Sequence, residues 1–160
     1  MSNSKKAARE AAKLKREPGT FAAVPFAMLR SQSFAALSPH ANKLLFDLLA
    51  QYNLRNNGDL SMSFEKTMRP RGWKSKDTLN KARLELIEAG FILLTRQGGL
   101  HQCSLYAVTF YAVDHCEGKL EMSATRTALS NWRKNEPLKN KEPSTRAVPV
   151  AHRLGTPAVL

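Results

Sequence analysis

Seven basic side chains fall between positions 66 and 83 (Lys66, Arg69, Arg71, Lys74, Lys76, Lys81 and Arg83) against one acid, Asp77. Cations at this density are suited to phosphate oxygens, and their binding energy would come from displaced counterions. Ser75 and Asn80 lie among them. An asparagine amide can pair with adenine through two hydrogen bonds, and a lysine can reach guanine or a phosphate. Ser75 has two compatible readings, a helix N-cap or a phosphate contact.

Other chemistry finds little support. His101, Cys103, His115 and Cys116 invite a zinc site, but the H-x-C and H-C spacings match no finger pattern. No G-x-x-x-x-G-K-[ST], H-E-x-x-H or G-x-S-x-G occurs, and central carboxylates do not cluster as a two-metal nuclease needs. The expectation is a non-enzymatic protein without metal or cofactor, and with no small-molecule ligand evident.

The 160 residues hold 25 Lys and Arg against 13 Asp and Glu, a net charge of +12. Residues 66–83 supply +6, residues 1–17 supply +4 and residues 119–160 supply +5, leaving the rest of the middle net acidic. The charge is therefore two tails and one stripe. Two cysteines exclude a disulfide-dense scaffold. No apolar run reaches the roughly 18 residues of a spanning helix, and the basic N-terminus lacks the apolar core of a signal peptide. These features predict a cytoplasmic protein without a membrane partner.

The elements that must position the stripe follow from spacing. Residues 1–20 read as a flexible basic arm that becomes helical on binding, and Pro25 suits the first turn of a short helix. Ser38 and Pro39 start an amphipathic helix with apolar Ala41, Leu44, Leu45, Leu48, Leu49 and Tyr52, and with Asp47 turned toward water. A turn at residues 56–59 precedes a short extended piece at 60–62. Ser63 is the expected cap of a second short helix from Phe64 to about Arg69, stopped by Pro70 and Gly72. Ser75 caps a third helix over residues 76–89, ended by Gly90. Its apolar side holds Leu79, Ala82, Leu86 and Ile87, so Asp77, Asn80, Lys81, Leu84 and Glu88 point outward.

Residues 91–96 are β-prone, Gly98 and Gly99 signal a hairpin, and residues 101–110 return. That turn would set Leu94 opposite Cys103 and Ile92 opposite Leu105, with all four on the core face. Trp73 and Trp132 read as packing residues. Residues 21–117 form the expected domain. Residues 118–160 form a basic, largely disordered tail, with a possible short helix at 123–134 that is also the candidate dimer helix.

Helix, short strand, helix, turn, helix and hairpin is an order that resembles the winged helix-turn-helix superfamily. The likeness is strongest over residues 78–92, TLNKARLELIEAGFI, and extends over residues 21–110. The lead-in at residues 24–38 looks like phage and plasmid replication initiators. The resemblance implies a mainly α fold with a small β-hairpin and sequence-specific binding of double-stranded DNA. It further implies a role in bacterial transcription regulation, or in replication of a plasmid, phage or integrated element.

A helix held by its apolar face can present the other face to a major groove about 12 Å wide, usually through its N-terminal half. The candidate groove set is therefore Lys74, Lys76, Asn80 and Lys81. Arg69 and Arg71 suit phosphates, Arg83 reaches a phosphate at most, and the wing Arg96 reaches a phosphate or a minor groove. Asp77 either accepts from a cytosine amino group or favours the helix N-terminus through the dipole. A homodimer on two half-sites is plausible. A protein-docking winged helix and an RNA-binding protein remain alternative functions.

Overall fold

The computed structural model describes residues 2–135, so the part of the expected tail over residues 136–160 lies outside the described residues. Helix α1 (Ser2–Leu14) is exposed from Lys5 onward and shows no apolar face committed to the domain. The arm is thus already helical. Pro25 stands at the N-cap of a one-turn helix α2 (Phe26–Leu29), and Ser31 caps a second one-turn helix, α3 (Gln32–Ala35). The Ser31 hydroxyl donates to the Met28 carbonyl and accepts from Phe34 N–H, welding the two turns together.

Helix α4 (Pro39–Leu49) begins at Ser38, whose Oγ accepts from Ala41 N–H. Its Ala41, Leu44, Leu45, Leu48 and Leu49 are buried, as the spacing requires. Strand β1 (Leu60–Ser61) follows, and then a tight coil replaces the expected second helix. Residues Phe64–Met68 form one π-helical turn and Arg69–Arg71 a 3-10 turn, closed by Gly72 in the left-handed region at φ 86°. Ser63 caps by its backbone alone: its carbonyl accepts from both Thr67 and Met68 N–H, and its side chain takes no part. Pro70 cannot donate within an α-helical ladder, so the tighter winding accommodates it.

Helix α5 (Lys76–Glu88) then packs against α4. Leu79, Ala82 and Leu86 are buried. Glu85 accepts from Ser38 N–H and Oγ–H, each at 2.6 Å, tying α5 to the start of α4. Strands β2 (Ile92–Arg96) and β3 (Leu105–Val108) complete a three-stranded antiparallel sheet in the order β1-β3-β2. The molecule is thus mixed α and β, its helices backed by this small sheet. The core joins Leu44, Leu45 and Leu48 of α4 to Leu60, Met68, Leu86, Phe91, Ile92 and Val108. Each fully buried leucine-sized side chain contributes about 2 kcal/mol of transfer free energy.

The hairpin register differs from expectation. Ile92 pairs with Val108 and Leu94 with Tyr106, and a bulge at Thr95 makes Arg96 pair with Leu105. The reversal lies at Leu100 and His101, flanked by a Gly99–Gln102 bridge, not at Gly98 and Gly99. Gly98 answers a close crossing instead: a Cβ there would stand 2.5 Å from the Ser104 amide nitrogen. Cys103 consequently falls outside β3 and is exposed, while all four β3 residues are buried in the central strand. The buried Thr95 hydroxyl donates to Gly58 O at 2.6 Å, which fixes the bulge.

Past Gly118 the chain does not form the expected helix over residues 123–134. It runs irregularly across the domain and ends in a 3-10 turn, Asn131–Asn135. Glu121 N–H donates to Thr95 O, Thr125 N–H to Val113 O, and Ser130 N–H to Thr109 O. The Trp132 ring is buried and stacks parallel to Phe91 with centroids 6.3 Å apart. Gly90 permits this docking, because a Cβ there would meet the Trp132 amide nitrogen at 2.8 Å and its φ is 79°. Residues 119–132 are therefore part of the folded unit, which extends past the expected boundary at 117. Among the described residues, no helix is long and apolar enough to cross a membrane.

Candidate nucleic-acid interface

Ser75 ends an extended stretch and accepts from Thr78 N–H at 3.2 Å, so α5 starts as an N-capped helix. The cap reading of Ser75 is met, and the residue remains exposed. Lys74, Lys76, Asp77, Asn80, Lys81, Leu84 and Glu88 are exposed too, while the opposite side of the helix is anchored in the core. The wheel derived from spacing therefore describes the real faces of α5.

The cations of the stripe are less free than their count implies. Glu65, one position before the stripe, turns back onto it. It accepts from Arg69 Nη1 at 2.6 Å and lies 3.5 Å from Lys76 Nζ. The Arg69 hydrogen bond, ahead of the weaker pull of Lys76, holds the Glu65 carboxyl below its usual range. Lys81 Nζ pairs with Asp77 at 2.8 Å, one helical turn apart, and this contact raises the lysine pKa. These pairs are exposed and screened, so each adds little stability and opens at small cost to a competing phosphate. Lys66 and Lys74 form no ion pair among the described residues.

Arg71 and Arg83 have positioning roles. Arg83 Nε and Nη2 both donate to Asn80 Oδ1, at 3.1 and 2.7 Å. The guanidinium thus holds the asparagine amide in one orientation on the outer face, a role that sequence spacing did not indicate. Arg71 Nε donates to Asp47 Oδ1 at 2.7 Å, while Lys43 Nζ and Trp73 Nε1 donate to Oδ2 at 2.6 and 2.7 Å. Asp47, expected to face water, is only 5% exposed. It pins the coil before α5 to α4, and the Lys43 ammonium reaches on to the Arg71 carbonyl. The apolar spacing of α4 cannot reveal this, because two of the three partners, Arg71 and Trp73, come from a segment 24 or more residues away.

Burial pushes the Asp47 carboxyl up, but its three donors outweigh that and the net shift is downward. Its stabilisation is complete above the unfolded carboxyl value, about 3.9, and is lost as pH falls through the lower folded value. Asp47→Asn should cost roughly 2 kcal/mol at neutral pH, by analogy with other hydrogen bonds to charged groups. The difference in midpoint between wild type and variant should narrow once pH falls below the unfolded carboxyl value and through the lower folded one, as followed by thermal melts across pH.

Arg96 ends β2 and is partly buried, and its Nη2 donates to Cys103 O at 3.1 Å, so it braces the hairpin. Leu100, at the tip, is almost wholly exposed. Among the described residues, no three His, Cys, Asp or Glu side chains gather where a metal ion could sit. No protein-family model, curated protein or solved structure matches the chain.

Proposed function

We propose that the chain is a winged helix-turn-helix protein that binds double-stranded DNA sequence-specifically and has no catalytic role. The observation that carries this reading is the two-sided α5. Leu79, Ala82 and Leu86 fix it in the core, while its first two turns display Lys76, Asn80 and Lys81 beside Lys74. The order α4, β1, coil, α5, β2, β3 and the β1-β3-β2 sheet agree with a winged helix, in which α5 would be the recognition helix and residues 97–102 the wing. Asn80, oriented by Arg83, would read a base edge, and Lys74, Lys76 and Lys81 would meet phosphates or guanine. Arg69 would meet a phosphate, and Arg71 would position the coil. The setting is transcription regulation or the replication of a plasmid, phage or integrated element, as the resemblance implies.

Glu65 restrains this surface. In Glu65→Gln the cations Arg69 and Lys76 are released, so affinity for any duplex should rise several-fold at low salt and the salt slope should steepen by up to one to two units. Fluorescence anisotropy across a salt series checks both. The proposal itself is tested by selecting bound duplexes from a random pool. One enriched motif supports it. Failure of the folded protein to retain any duplex at low salt, or preferential retention of RNA, contradicts it.

A further inference from the structure

A cleft of about 410 Å³ opens between the first turns of α5 and the hairpin. Its apolar lining comes from Met62, Phe64, Leu79, Leu94 and Tyr106. Leu94 is the telling residue: by alternation with the buried Ile92 it belongs to the core side of β2, yet it is 40% exposed. The hairpin and α5 diverge at this point, and the described fold leaves part of that side chain uncovered.

The polar rim is cationic. Lys76 and Arg83 line the cleft together with Asn80, and no carboxylate lines it. The Arg83 guanidinium bonds to a neutral amide, so its charge has no carboxylate partner among the described residues. Lys76 lies over the Phe64 ring at 5.4 Å, and its ion pair to Glu65 is long and exposed. An apolar floor with two cations on one rim is complementary to a flat organic anion, and the volume falls in the range of small-molecule sites.

We infer that this cleft binds a small amphipathic anion, an aromatic carboxylate or sulfonate of one or two rings. Its acid group would lie between Lys76 and Arg83, and its rings on Leu94 and Phe64. Such a ligand would draw Arg83 away from Asn80 and cover Lys76, so its occupancy would oppose duplex binding. That regulatory consequence rests on the DNA-binding reading, whereas the binding itself does not.

The probe is 1-anilinonaphthalene-8-sulfonate, titrated into the full chain without DNA. One saturable site is expected, with a dissociation constant on the order of 10 to 100 µM. Arg83→Gln and Leu94→Glu should each weaken it at least fivefold, and Leu100→Glu, at the exposed hairpin tip, should leave it unchanged. Circular dichroism checks that each variant is folded. Methyl NMR of the wild-type protein is a readout independent of the variants, and should show ligand-induced shifts at Met62, Leu79 and Leu94 but not at Leu100. Absence of a saturable site, or shifts that avoid the cleft, overturns the inference. Duplex bound undiminished by the saturated protein overturns the regulatory part. Dye bound by a protein without duplex affinity supports the cleft and removes the DNA reading.

Discussion

Replacing Asn57 by alanine is expected to lower stability by about 3 kcal/mol and the melting midpoint by roughly 10 °C. Asn57 is fully buried where the chain turns from α4 toward β1. Its Oδ1 accepts from Val108 N–H at 2.9 Å, and its Nδ2 donates to Val108 O and Ala112 O at 3.0 and 2.8 Å, with a longer contact to Tyr111 O. Asn57 N–H donates to Asp114, and its carbonyl accepts from Asp114 N–H. Alanine would leave a buried donor and at least one buried acceptor on the chain end of β3 without partners, each costing about 1–3 kcal/mol. Asn57→Asp should be no better, because a carboxylate would face three carbonyl oxygens. Asn56→Ala, which removes bonds on the adjoining more exposed turn, should cost clearly less. Urea unfolding of the three variants checks the order.

The second large effect concerns binding. The double variant Lys74→Glu, Lys81→Glu should lose duplex affinity about a hundredfold or more at moderate salt, since each reversal removes an attraction and adds a repulsion near phosphates. Both side chains are exposed on the outer side of the coil and of α5, so the melting curve should barely move. The slope of log affinity against log salt should shrink by about two units. Asn80→Ala, by contrast, should leave the salt slope in place and cost about 1–3 kcal/mol at one base position. Equal losses on every sequence would mean that Asn80 only holds Arg83. Parallel anisotropy titrations on the selected site and on single-base variants separate these outcomes.

The parts of this fold legible in the sequence are those governed by local rules. Ser38 before Pro39, Ser75 before Lys76, and Gly90 after the last turn are capping chemistry within four residues of the ends they define, and each is found where spacing places it. The α5 faces follow likewise from a period of 3.6 residues. What spacing missed depends on distant partners. Asp47 is off the apolar stripe of α4 and was expected in water, but Arg71 and Trp73 arrive from another element to bury it. Gly98 and Gly99 look like a turn, but Gly98 serves a crossing with Ser104 and the bulge at Thr95 is set by Gly58. Trp132 follows a stretch without periodicity, so its place on Phe91 had only its aromatic character as a signal. The site is legible to the same degree: exposure of the α5 residues follows from the helix period, whereas the restraint by Glu65 and the orientation of Asn80 by Arg83 depend on side-chain conformations that spacing does not specify.

If the chain binds DNA as proposed, the outer face of α5, and not the basic arm alone, meets the duplex. Backbone amide NMR of the full chain, titrated with a duplex selected from the random pool, tests it most directly. The largest shifts are expected at residues 74–84, with a second group at the hairpin over 96–102, and only salt-sensitive changes in residues 2–17. Shifts confined to the arm, with residues 74–84 unmoved at saturation, would contradict it.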